Sequence, residues 1–222
     1  MDVLVISAHP DDETFGCGGT LLAHRASGDS VYWLIITEPT KPMWTSAQIT
    51  QEKREIAAVA KALGVKKYWC AGMAPAGLDA LPLTELIDAV RKPIEAIHPQ
   101  VVYSVHHGDV HSDHRKLFEA VGAVLKAFYM KRYGVRRWLA FECLSSTDAA
   151  SPVPATAFVP NVFRDITPFL RRKLRIVDLY RSQLQPGHLP RSADAVRALA
   201  RYRGATIGVK YAEAFALVRE LT

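Results

Sequence analysis

The stretch Val3-Leu4-Val5-Ile6-Ser7-Ala8-His9-Pro10-Asp11-Asp12-Glu13 decides how this chain is read. Four aliphatic residues bounded by turn-forming ones predict a buried, parallel strand. Gly16-Cys17-Gly18-Gly19-Thr20 follows, and with Leu21-Leu22-Ala23-His24 it predicts the opening of a helix. One histidine and three carboxylates are therefore crowded into the exit of the first strand. In open α/β sheets, that exit is where ligands bind. Side-by-side burial of so many charges is costly unless a cation neutralises them, and a divalent metal is the simplest resolution.

Outward from this unit, strand and helix patterns alternate. Val31–Thr37, Lys67–Cys70, Val101–Val105 and Trp138–Cys143 predict further strands. A helix headed by Ser46 carries Ile49, Ile56, Val59, Ala60 and Leu63 on one face and closes at Gly64. A second, capped by Thr84, carries Leu86, Ile87, Val90, Ile94 and Ile97, and Pro93 inside it should kink or shorten it. A third carries Leu117, Val121, Val124, Leu125 and Phe128 on its apolar side. Later, residues 157–163 predict an edge strand interrupted by Pro160. A helix from Thr167 or Pro168 to about Leu184 is then broken at Pro186, one starts at Ser192, and residues 211–218 complete the chain. The expectation is a single α/β domain over 1–222, a Rossmann-like, doubly wound, mostly parallel sheet flanked by helices. Its core is expected over about 1–145 and a C-terminal extension over about 146–222.

Composition narrows the class. The 222 residues are 49% hydrophobic, which supports a sizeable core. No apolar run approaches the ~18 residues that span a bilayer, so membrane insertion is not expected. Met1-Asp2 lacks the positive opening of a secretory signal, and three widely spaced cysteines (Cys17, Cys70, Cys143) form no disulfide framework. A cytoplasmic location is the expectation. The net charge of +6 is concentrated in the second half, including Arg171-Arg172-Lys173, Arg191 and Arg203. No aromatic residues interleave with these in a nucleic-acid-binding pattern, so nucleic acid is not the expected partner. Solvated helix faces, or attraction to an anionic sugar substrate, account for them equally well.

The second chemical cluster is His106-His107-Gly108-Asp109-Val110-His111-Ser112-Asp113-His114, straight after the Val101–Val105 strand. Residues three apart on a first helical turn share a face, so His111 and His114 can look into one site. Taken singly, either cluster is explained as well by capping and hydrogen bonding. Together, at equivalent ends of two parallel strands, they point to a metal. Two imidazoles and a carboxylate suit catalytic Zn2+, and Fe2+ as well.

Ala-His-Pro-Asp-Asp-Glu with a Gly-Gly-Thr helix start, the downstream His-x-Asp-His and the closing Tyr211-Ala212-Glu213-Ala214-Phe215 resemble the LmbE/PIG-L family of metal-dependent N-deacetylases. That resemblance implies a zinc-dependent hydrolase removing an N-acetyl group from an N-acetylglucosamine-type sugar conjugate. It implies His9, Asp12 and His114 as metal ligands and Asp11 as general base. His111, held cationic, would stabilise the oxyanion, with Asp113 as its orienting carboxylate. Family members often carry an arginine three residues before a glutamate on the second helix, to hold the acyl end of the substrate; here that place is Glu52, so Arg54 or Lys53 is expected to substitute. Trp44 is a candidate sugar-stacking ring, and His188 a candidate for the cleft. Two other readings stand beside this one. A non-catalytic sugar- or nucleotide-binding module fits the layout, although Gly16-Cys17-Gly18-Gly19 lacks the third glycine of a dinucleotide fingerprint. A metal-dependent phosphoesterase fits the donor types but would ordinarily call for two metals. The proline-broken edge and arginine-rich late helix also permit a homo-oligomer.

Overall fold

A computed structural model describes residues 1–151 and 153–222. Seven strands form one sheet in the order β3-β2-β1-β4-β5-β7-β6: β1 (Asp2–Ser7), β2 (Ser30–Thr37), β3 (Lys67–Met73), β4 (Val101–Val105), β5 (Arg137–Phe141), β6 (Val162–Asp165) and β7 (Ala212–Glu220). The first five are parallel, and β7 runs antiparallel to both β5 and β6. The predicted α/β, mostly parallel, doubly wound sheet is thus what forms, and the segment after residue 146 adds two strands to that same sheet. Strand order reverses direction between β1 and β4, and a crevice opens at such a switch point.

The helices are α1 (Asp12–Ala26), α2 (Ser46–Leu63), α3 (Leu83–Ile97), α4 (Ser112–Val124), α5 (Ala127–Tyr133), α6 (Leu170–Val177) and α7 (Ala193–Thr206). None is long and apolar enough to cross a membrane among the described residues. At the centre of the sheet, buried Trp33 and Trp138 donate their indole N–H to Ser7 and Ser104, each at 2.8 Å. The bulkiest core rings thereby keep their polar atoms satisfied.

Several elements differ from expectation. α1 begins at Asp12, ahead of the glycines, and is kinked at Cys17 (φ −140°). The kink frees the Gly19 and Thr20 amides, which donate to Glu213 of β7 at 2.8 and 2.7 Å, and the Phe15 carbonyl, which accepts from Lys173 at 2.7 Å. Lys173 and Glu213 close the set as a buried ion pair at 2.7 Å. A methyl group on Gly16 would lie 2.2 Å from the Phe141 ring, so only glycine lets this part of α1 approach β5. α3 runs through Pro93 to Ile97, because burial of Leu86, Val90 and Ile94 outweighs one lost backbone bond. It starts after Pro82, with no capping by Thr84. α4 stops at Val124, and Phe128 is exposed on α5; Arg219 donates to the Leu125 carbonyl freed at the break. α6 ends at Val177, well before Leu184, and the chain turns so that Tyr180 is buried against Glu13.

Candidate metal centre and catalytic site

The loop leaving β1 is built from its own carboxylates. The His9 N–H donates to Asp12 Oδ2 at 2.8 Å, and the Asp11 carbonyl accepts from Thr14 and Phe15, which starts α1. Glu13 accepts from the Asp11 N–H at 3.1 Å, the Thr14 hydroxyl and the Tyr180 hydroxyl. Its role is to hold the loop, and burial pushes its carboxyl up to about 8. Asp11 itself has φ 117°, a strained region for a residue with a side chain. Strain of this kind persists only where its surroundings over-determine it, typically at functional sites.

The second cluster follows β4. His111 is the N-cap of α4, with Asp113 and His114 on its first turn. His114 Nε2 lies 3.2 Å from His9 Nδ1 and 3.4 Å from Asp12 Oδ1, so two distant stretches meet. One ligand atom from each of His9, Asp12 and His114 falls within 4.8 Å of the others. His114 Nδ1 is held at 2.9 Å by Asp109, which is fixed in turn by the Thr147 hydroxyl and the His111 N–H. This outer carboxylate orients the ring and aims Nε2 at its neighbours.

His9, His111 and Asp113 form a second close group, but it shares His9. Asp113 is also already engaged, accepting from the Ala76 and Leu78 amides at 2.7 and 3.0 Å. Both Asp113 oxygens are thus taken by amides, whereas Asp12 keeps Oδ1 clear of backbone donors, and the two imidazoles with Asp12 are a set that fits one divalent cation. Electrostatics agrees. Burial acts to lower His114, yet Asp12 and Asp109 hold its ring up to about 10. Asp12 in turn lies well below the carboxylate range: burial raises it, but His114 and His9 outweigh that. The site is arranged to hold positive charge.

Two contacts differ from those the resemblance implies. Asp113 faces His9, with Oδ2 2.9 Å from Nε2, whereas it is 4.0 Å from His111 Nδ1. His111 Nδ1 instead accepts from the Asp113 N–H at 3.2 Å, which leaves its ring proton on Nε2. Burial, with His9 and His114 nearby, pushes His111 below its ordinary value, the direction that this hydrogen bond also favours. Asp113 therefore orients His9.

A cavity of about 410 Å³ opens over this cluster, lined among others by Trp44, Glu52, His111, Gln183 and Arg191. Trp44 is in its wall; Arg54 and His188 are exposed and outside it. Arg54 lies two positions beyond Glu52, which turns it about 200° away around α2. Arg191, which sequence reasoning grouped only with the basic residues of the second half, donates to Asp11 Oδ2 at 2.5 Å. Asp11 Oδ1 is buried without a partner. Burial pushes Asp11 up to about 7, against the pull of Arg191. Glu52 likewise rises to about 7, through burial and then the carboxylates of Asp11, Glu55 and Glu38.

Seven strands in this order, with a histidine–carboxylate cluster at the exits of β1 and β4, define an α/β enzyme built around a candidate metal centre. The family profile described as PIG-L: GlcNAc-PI de-N-acetylase matches residues 4–125, more than half the chain, and the protein belongs to that family. It is 29% identical over 241 residues to diacetylchitobiose deacetylase of Thermococcus kodakarensis, covering 97% of this chain and 82% of that one. It is 25% identical over 190 residues to the probable N-acetyl-alpha-D-glucosaminyl L-malate deacetylase 2 of Bacillus anthracis, covering 82% and 80% of the two chains. The crystal structure of the conserved protein TT1542 from Thermus thermophilus superposes with a TM-score of 0.79 at 26% identity, over 100% of this chain and 96% of that one.

Proposed function

We propose that this protein is a zinc-dependent N-deacetylase acting on an N-acetylated amino sugar or its conjugate. The observation carrying the reading is the convergence of His9, Asp12 and His114, with Asp11 beside them but held away by Arg191. The deacetylase names of the relatives and the family membership support it.

His9, Asp12 and His114 would hold the ion. Lewis acidity towards water and the amide carbonyl is what such an ion supplies when bound. Asp11 Oδ1, the carboxylate oxygen with no partner, has the unused capacity to take the proton of the attacking water and return it to the leaving nitrogen. His111 Nε2–H, fixed as a donor by the bond at Nδ1, stabilises the oxygen that becomes negative as the carbonyl is attacked. Asp109 and Asp113 keep the His114 and His9 rings in place. Trp44 offers a flat apolar surface to a sugar ring.

Acetate release from N,N'-diacetylchitobiose and other N-acetylglucosamine conjugates tests the reading. The expected result is release that chelation abolishes and zinc restores. Release undiminished by exhaustive chelation, or by Asp11→Asn, would sink it.

A further inference from the structure

Of the buried side-chain atoms left without a partner among the described residues, Asp11 Oδ1, Glu52 Oε1 and Arg191 Nε belong to residues lining the one cavity over the metal cluster. An unmet buried polar atom is costly, so three in side chains bordering one cavity mark it as a place where polar groups lack partners within the protein. The Asp11 oxygen is accounted for by the proposed proton transfer. The other two are left for recognition.

Their charges are not equivalent. The Arg191 guanidinium is already compensated by Asp11, and its Nη1 donates to Gln183 Oε1 at 3.3 Å. Asp12 is matched by the histidines and by the cation they would share. Glu52 has no cation within ion-pairing distance among the described residues, and Glu55, one turn along α2, brings a second carboxylate that accepts from Gln51 and Ser182. Glu52 is therefore the acidic group of this wall with no cation beside it, and the charge at that part of the wall is negative despite the net +6 of the chain.

Resting on the deacetylase reading, we propose that Glu52 is a specificity-determining residue that selects glycosides presenting a hydroxyl or ammonium group to it and rejects those carrying a phosphate or carboxylate there. A donor from the substrate gives the Glu52 carboxyl the partner the protein withholds. An anion placed there meets like charge in a partly desolvated wall, a form of selection by repulsion.

The test is calorimetric binding at pH 8 to the zinc-loaded full chain. The ligands are N-acetylglucosamine glycosides matched except for one ring or aglycone substituent: amino, hydroxyl, carboxylate or phosphate. The amino and hydroxyl compounds are expected to bind about tenfold or more tightly than the two anions, a gap of the size expected for hydrogen bonds to a charged group. Glu52→Gln should shrink that gap to about threefold or less, and Glu52→Lys should invert it, with melting temperatures showing that both variants remain folded. Wild-type protein that binds the anions as well as the neutral glycosides overturns the proposal, as does a gap that survives in Glu52→Gln, or no binding across the set. Selective binding without acetate release would leave this assignment standing while removing the catalytic one.

Discussion

Arg191 donates to Asp11 Oδ2 at 2.5 Å, and it is the partner that Oδ2 has. The contact spans the chain from the loop before α7 to the exit of β1, and it leaves Oδ1 free. Arg191→Ala is expected to lower kcat about 10–100-fold, as loss of an outer partner does, because Asp11 would then be buried with neither oxygen held. Bound metal should be unchanged, since Arg191 touches no ligand atom. Steady-state kinetics beside metal analysis checks this, with Arg191→Lys recovering only part of the loss because it lacks the planar fork.

Asp109 acts on the metal site through His114, at 2.9 Å from Nδ1. Asp109→Ala should weaken zinc binding about 10–100-fold while the fold persists. Competition against a chelator of known affinity measures it. An affinity equal to that of the wild type would show that the ring needs no such support.

The buried Glu213–Lys173 pair joins β7 and α6 to the kinked α1. Removing one partner strands a buried charge together with freed backbone groups, so Glu213→Ala should cost about 3–5 kcal/mol of unfolding free energy. Urea denaturation reads this directly, and a loss below about 1 kcal/mol would contradict the account.

His106 is buried and accepts from the Gly108 N–H at 3.1 Å through Nδ1, which disfavours a proton there. Burial, then the neighbouring His107, lowers it to about 4. The unfolded chain therefore binds more protons than the native one between about pH 6.5 and 4, and stability should fall as the pH drops through that window. His106→Asn, which can keep an acceptor near the same place, should flatten this part of the profile of melting temperature against pH. An unchanged slope would place the acid sensitivity elsewhere.

The local parts of this architecture were legible and the long-range ones were not. Val3–Ile6 and Val101–Val105 announce parallel strands because both their faces are buried, and the clusters after them must then share an end of the sheet. His111 and His114 likewise fall at one end of α4, as its N-cap and on its first turn. Nothing local marks Arg191, whose significance arises from a loop folding back on Asp11. Nor does spacing reveal that Asp113 turns to His9, a residue 104 positions away, rather than to nearby His111. Glu213 was legible only as part of a resemblance; its work depends on the kink at Cys17, which the glycine run hints at but does not define. Pro93 misled because helix rules count a lost backbone bond without the packing that offsets it.

Zinc titration of metal-stripped protein by calorimetry tests the central claim most directly. Wild type and Asp11→Asn should each take up one equivalent with similar affinity, whereas His114→Ala should bind at least about 100-fold more weakly. Binding retained in His114→Ala, or lost in Asp11→Asn, would contradict a single ion held by His9, Asp12 and His114 with Asp11 left free beside it.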